Sequence, residues 1–309
     1  MIIRISFLRG IVLILVVLSS TIITSQNLID DVIQNIQSGG FSYKDLNKVS
    51  ENNSIALIEA LESRIAQFNR NQRLNSYQFV NGLLTDSFPS PMKERFVRYI
   101  VFNGFNDSDI GNRQAVVDMI YLYNSSDFTP SLLNFLSSKV ISKDEPHLSI
   151  VKLAGWLNID QLEDFVRQQL QNTTNIKSQW TYHLFLGRMG DPNSVQYCVE
   201  TVRKIGMNDN VVYRLIPDLI YLHQKEAVDF ILSKILDDEK LCTSPNPDYE
   251  APITCAYRLT ELVAPIIEGF PVKTGPSGDL EVDNYINALD KVRQWIVEHY
   301  DNYELTHLP

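Results

Sequence analysis

Apolar residues recur along this chain at steps of three and four, the spacing that places them on one face of an α-helix. Val212, Leu215, Ile216, Leu219 and Leu222 form one such stripe, and Ala227, Phe230, Ile231 and Ile235 form another after a short break. The preceding stretch has the same arrangement, with Tyr182, Phe185, Leu186 and Met189, then Val195, Cys198, Val199 and Val202. Each stripe predicts a helix of about three turns. Neither helix of a pair can bury its stripe alone, so the pairs must stack on neighbouring pairs. Three segments superpose as helix ends: Leu153-Ala-Gly-Trp-Leu-Asn-Ile-Asp160, Phe185-Leu-Gly-Arg-Met-Gly-Asp-Pro192 and Leu219-Ile-Tyr-Leu-His-Gln-Lys225. With Leu157, Met189 and Leu222 equivalent, the spacings are 32 and 33 residues, and a step back of 35 reaches Leu122 in Met119-Ile-Tyr-Leu-Tyr123. Four units are therefore expected between Arg113 and Glu239.

The punctuation agrees with the periodicity. Asp191-Pro192 offers an N-cap followed by proline at the first helical position, and Thr129-Pro130 has the same form. The run Leu186-Gly187-Arg188-Met189-Gly190-Asp191-Pro192 is similar to the helix-end, turn and helix-start pattern of the HEAT family. Leu215-Ile216-Pro217-Asp218-Leu219 resembles that family's first helix, in which an internal proline makes a kink, and Val166-Arg167 and Val202-Arg203 resemble its recurrent Val-Arg pair. The sequence departs from the pattern where Asn158-Ile159 replaces Gly-Asp and where Tyr123 to Asp127 lengthens a turn. The resemblance covers residues 113–239. It implies an all-α fold, a right-handed α-α superhelix or HEAT-like solenoid of stacked helix pairs that holds protein partners, and it implies no reaction.

The flanks continue the helical pattern. Asn53 to Phe68 carries Ile55, Leu57, Ile58, Leu61, Ile65 and Phe68, and Met92 to Phe105 carries Phe96, Val97, Ile100 and Val101. After the polar connection Asn246-Pro-Asp-Tyr-Glu-Ala-Pro252, a helix is expected from Cys255 to Ile267 with Pro265 inside it. A last one is expected from Val282 to Tyr300 on Ile286, Leu289, Val292, Trp295 and Ile296, capping the open end of the stack. The first segment differs in kind. Arg4 and Arg9 precede the apolar run Ile11 to Leu18 and then small polar residues, the order of a secretory signal peptide. The run is too short to span a membrane, which takes roughly 20 residues. Cleavage fits after Ser25, and a mature end beginning with Gln26 resembles exported bacterial proteins. The expected organisation is thus a signal peptide at 1–25, N-terminal helices at 26–112, repeats at 113–239 and a loop with C-terminal capping helices at 240–309. No integral membrane segment is expected in the mature protein, whose expected destination is the periplasm or cell envelope, with secretion from the cell as the alternative.

Composition narrows the partner. With 44% hydrophobic residues among 309, a sizeable core forms and global disorder is excluded. Gly 13 and Pro 13 are sparse for a protein of short strands and tight turns. The balance of 27 Lys+Arg against 37 Asp+Glu, formal charge −10, argues against nucleic acid as partner, because phosphate binding needs clustered cations. The same charge favours basic or extended polar ligands. Three cysteines are too few for a disulfide scaffold or a Cys-only zinc site. Cys242 and Cys255 flank the irregular loop, and export to an oxidising compartment predicts a disulfide between them. Cys198 sits on an apolar stripe and reads as core filling.

Catalytic signatures are sparse. His147, His183, His223, His299 and His307 include no close pair that shares a helix face, as metal ligands would. His183 and His223 are expected at helix ends, where a polar tip is ordinary. Asp107-x-Asp109-x-Gly111 and Asp279-x-Glu281-x-Asp283 alternate oxygen ligands, but neither has Gly at the sixth and Glu at the twelfth position of a calcium loop, so helix capping accounts for them. No catalytic, metal or cofactor residue is assigned. The expected function is a non-enzymatic helical-repeat scaffold that binds a protein or peptide along its concave face. The alternative is a carbohydrate-active helical lyase or hydrolase of the envelope, whose Tyr and Trp residues would stack on sugars.

Overall fold

The computed structural model describes residues 27–40, 42–84, 89–244 and 251–306, and every regular element among them is helical. The expected signal peptide lies outside these residues. Among the described residues, β pairing is limited to the isolated bridges Cys242–Ile253, Ile267–Leu305 and Thr274–Leu280, and no helix is long and apolar enough to cross a membrane. The protein divides into two compact units, Met1–Phe135 and Leu136–Pro309, a boundary inside the block 113–239.

The first unit contains α1 (27–38), α2 (Tyr43–Leu46), α3 (Glu51–Arg64), α4 (Arg70–Leu83), α5 (Ser90–Phe105) and α6 (Ile110–Ile120). Helix α5 is its centre and packs against α3, α4 and α6. It buries the expected Phe96, Val97, Ile100 and Val101, and Met92, Tyr99 and Phe105 beside them. Helix α4 opens with a capping box in which Asn69 and Gln72 satisfy each other's backbone amides at 3.0 Å. Two expected apolar positions are instead exposed. Ile55 is 39% exposed on α3, and Leu122 is 74% exposed because α6 stops at Ile120, which leaves Leu122 in the turn rather than on a buried stripe. Helix α7 (Pro130–Ile141) follows, with proline at its first position.

The second unit continues with α8 (His147–Trp156), α9 (Glu163–Asn172), α10 (Ile176–Arg188), α11 (Pro192–Ile205), α12 (Asp209–Arg214), α13 (Ile216–Leu222), α14 (Lys225–Ile235), α15 (Ala256–Val263) and α16 (Tyr285–His299). The first helices of successive pairs pack in order, α8 on α10, α10 on α13 and α13 on α15, while α11 packs on α14. Helices α8, α10 and α13 are each followed by one left-handed residue, Asn158 (φ 55°), Gly190 (φ 91°) and His223 (φ 53°). These positions are 32 and 33 residues apart, so the sequence period is also a period of backbone geometry. After α8 and α10 the backbone closes as a Schellman motif: the Ile159 amide donates to Ala154 O and the Asp191 amide to Leu186 O, both at 3.0 Å. Asp191 then caps α11 by accepting from the Ser194 amide at 2.9 Å, with Pro192 in the first turn. Its carboxylate also pairs with Arg167 Nη1 at 3.0 Å, linking the α8–α9 pair to the α10–α11 pair.

Prolines shape the later elements. Pro217 lies in the first turn of α13 and the helical path breaks at Leu215, where a kink is expected. Pro265 does more than kink its helix: α15 ends at Val263 and Ala264–Ile266 forms a 3-10 turn, so the expected helix to Ile267 is shorter. Helix α16 starts at Tyr285 rather than Val282 because Asn284 caps it, accepting from the Asn287 amide at 3.0 Å. Leu289, Val292 and Ile296 are buried, whereas Ile286, in the first turn, is 61% exposed. One apolar core runs from Leu184 to Tyr303 through this unit. The segment after α16 is tied back to it: the Thr306 amide donates to Ile266 O at 3.0 Å, and Tyr303 donates to Asp229 Oδ1 at 2.6 Å.

Candidate functional site

The residue that precedes Leu157, Met189 and Leu222 at the end of each first helix is Trp156, Arg188 and Tyr221 respectively. Because α8, α10 and α13 are neighbours, these three side chains meet. The Arg188 guanidinium carbon lies 5.0 Å from the Trp156 ring centre and 5.8 Å from that of Tyr221, and its Nη1 donates to Tyr221 O at 3.0 Å. The two rings are inclined by 24° with centroids 6.5 Å apart. One turn earlier on α8, Lys152 holds its ammonium 5.0 Å from the Tyr221 ring centre and forms an ion pair with Asp218 of α13. Trp180, two turns before Arg188 on α10, donates its indole N–H to Asp218 Oδ2 at 2.6 Å. The Tyr221 hydroxyl donates to Lys152 O at 2.6 Å, closing the network.

A missing side chain makes room for this arrangement. A Cβ on Gly155 would lie 2.2 Å from the Tyr221 hydroxyl oxygen and 3.2 Å from the Phe185 ring, so only glycine lets that hydroxyl reach the α8 backbone. Tyr221 is buried, while Lys152, Trp156, Trp180 and Arg188 are half-buried and keep solvent-facing edges. Burial pushes the Arg188 pKa down. Among the described residues no carboxylate lies within ion-pair distance of its guanidinium, whereas Asp218 is committed to Lys152 and Trp180. Each cation–π contact stabilises by about 0.5 to 2 kcal/mol, depending on desolvation. The chemistry the cluster offers to a ligand is recognition: the half-exposed indole of Trp156 and the guanidinium fork of Arg188, held in place by the Lys152–Asp218–Trp180 contacts.

The residues singled out from sequence fall elsewhere. Cys242 and Cys255 are joined by a disulfide with Cα atoms 5.1 Å apart, while residues 245–250 of the enclosed loop lie outside the described residues. Cys198 is fully buried, and burial pushes its thiol pKa up. His223 closes α13, as expected of a helix end. His183 does not: it sits mid-helix in α10, stacked on Tyr197 at 3.8 Å with Nδ1 3.0 Å from Ser194 Oγ, because the apolar period carries the helix on to Arg188. His147 is buried beside Tyr182, with 3.3 Å between Nε2 and the hydroxyl, and burial lowers its pKa. His299 stacks on Trp295, and His307 lies outside the described residues. Asp109 caps α6 through the Asn112 amide at 3.0 Å, whereas α16 takes its cap from Asn284, one residue beyond Asp283. Among the described residues no group of three His, Cys, Asp or Glu is placed to hold a metal ion.

Sequence reasoning missed the Trp156–Arg188–Tyr221 set, although its signal was present. The three residues occupy one register position of the repeat, immediately before the hydrophobes that define the period. Attention to the apolar positions alone passes over a column that is polar or aromatic in every unit. No protein-family model, curated protein or solved structure matches this protein.

Proposed function

We propose that the protein is an exported helical-repeat scaffold of HEAT-like, right-handed superhelical type that binds a protein or peptide partner. The binding centre is the surface of α8, α10 and α13 around Trp156, Arg188 and Tyr221. One observation carries this reading: a half-buried guanidinium held across two aromatic rings, with no carboxylate in ion-pair range among the described residues. Trp, Tyr and Arg are the side chains that dominate binding energy at protein interfaces, and they do so when packed rigidly before the partner arrives. Here the hydrogen bonds through Asp218 and Lys152 O supply that rigidity. The disulfide supports an oxidising destination such as the periplasm or cell envelope. The engagement of Asp218 by Lys152 and Trp180 favours binding over a glycoside hydrolase, where two carboxylates must flank the scissile bond.

The test is affinity capture from cells that produce the protein, comparing the unaltered form with Trp156→Leu and Arg188→Gln. A partner recovered by the unaltered protein and reduced at least about tenfold with either variant is the expected result, since interface Trp and Arg anchors typically contribute about 2 kcal/mol or more. Equal recovery by all three folded proteins would remove this surface from consideration.

A further inference from the structure

We infer that Arg188, held against Trp156 and Tyr221, anchors one carboxylate of the bound partner; this rests on the partner-binding role proposed above. A guanidinium carries five N–H donors in a planar fork. One of them is used here, on Tyr221 O. The aromatic rings orient the cation but offer it no acceptor atom. A cation withdrawn from water ordinarily pairs with an anion, and the carboxylate of this cluster is already held by Lys152 and Trp180. The free edge of the fork is thus a strong, unfilled hydrogen-bonding feature of the cluster, and a partner group completes it.

The chemistry of the cradle selects the anion. The fork fits a carboxylate or a phosphate with two parallel N–H bonds, but one cation balances the single charge of a carboxylate and leaves a phosphate dianion half-compensated. Trp156, half-exposed beside the guanidinium, favours an apolar or aromatic residue next to that carboxylate. The partner segment therefore presents an acidic side chain, or the free carboxylate of its last residue, flanked by apolar side chains. This reverses the preference for basic ligands suggested by the overall charge of −10. The global field acts over a Debye length of about 8 Å at physiological salt, whereas the contact acts at hydrogen-bond range.

The experiment follows the Arg188 Nε–H resonance of the full mature protein by NMR, assigned through its loss in Arg188→Lys. Four probes are titrated: acetyl-Ala-Glu-Leu-Ala-amide, its Gln counterpart, acetyl-Ala-Gln-Leu-Ala with a free terminal carboxylate, and inorganic phosphate. The expected result is a saturable shift with one or both carboxylate peptides and none with the neutral peptide; which carboxylate acts distinguishes a side chain from a peptide end. Arg188→Lys, which keeps the charge and loses the fork, is expected to weaken carboxylate binding about tenfold, followed on the Trp156 indole N–H. The inference is overturned if neither carboxylate peptide shifts Arg188, or if phosphate alone does, and the titration of the unaltered protein decides this even if the variant misfolds. If partner capture still depends on Trp156 and Arg188 while both carboxylates fail, the binding role stands and this inference falls.

Discussion

Asp107 shows how a single acidic residue is used in the first unit. Its side chain is withdrawn from solvent and accepts from Arg73 Nε and Nη2 at 2.8 Å, the Asp109 amide at 2.8 Å, Tyr77 at 2.9 Å and Asn112 at 3.1 Å. Burial alone would push its carboxyl up, and these donors outweigh burial and hold the pKa at about 2, below the ordinary 3.8. A folded-state pKa below the unfolded one stabilises the fold above the unfolded pKa, and that stability is lost as pH falls from about 4 to about 2; the difference corresponds to about 2 kcal/mol. Urea denaturation should therefore find Asp107→Asn less stable by about 2 to 4 kcal/mol at pH 7, since Arg73 also loses its partner, and the deficit should shrink toward pH 2. A deficit independent of pH would contradict this. Gly155 is the corresponding residue for the second unit. Gly155→Ala drives a methyl group into the Tyr221 hydroxyl and should cost about 1 to 3 kcal/mol by overpacking, with the Tyr221 ring resonances displaced. Unchanged stability and unchanged resonances would show that the hydroxyl has room to move. Neither role is legible in the sequence. Asp107 and Asp109 stand out as an acidic pair, but Arg73 and Tyr77 lie 30 or more positions away and only the packing of α4 against α6 unites them.

Helix ends are the most legible elements, because their signals are local. Asp191-Pro192 and Gly190 dictate a cap, a first turn and a left-handed residue through their own covalent chemistry. The prolines divide: Pro217 gives the expected break, while Pro265 ends its helix. A proline removes one backbone hydrogen bond in either case, and whether a helix resumes depends on tertiary packing that no local pattern encodes. Ile55, Leu122 and Ile286 depart from expectation for a related reason, since helical spacing marks a face without saying how far a neighbour covers it: Leu122 falls in a turn and Ile286 in the first turn of α16. At this scale two outcomes are expected. Asp191→Ala removes both the cap and the Arg167 ion pair, and should lower stability by about 1 to 2 kcal/mol, most of it from the cap. Loss of the Cys242–Cys255 bridge, in Cys242→Ser/Cys255→Ser, should lower it by about 3 kcal/mol on the chain-entropy account of a loop this size. Denaturation of that variant should coincide with denaturation of the reduced unaltered protein; a variant as stable as the oxidised protein would show that the bridge restrains nothing that unfolding releases.

For the molecule as a whole, the all-helical class is readable from periodicity alone, and stacked pairs follow from stripes that no single helix can cover. The division at Phe135 is not readable, because it reflects the density of long-range contacts rather than any break in composition. The candidate site lies between these extremes. Its residues share a register that the repeat makes visible, yet their meeting depends on the closeness of α8, α10 and α13, which glycine at position 155 permits. Everything proposed for function turns on whether this surface, and not the second-helix layer, meets a partner. A photo-crosslinking amino acid placed at Ser149, two turns before Trp156 on α8, or at the exposed Lys204, on α11, in cells that produce the protein decides between them. A discrete adduct is expected from position 149 that disappears when Arg188→Gln is added, and none from position 204. Adducts from 204 alone, or an adduct from 149 indifferent to Arg188, would show that the partner is held elsewhere.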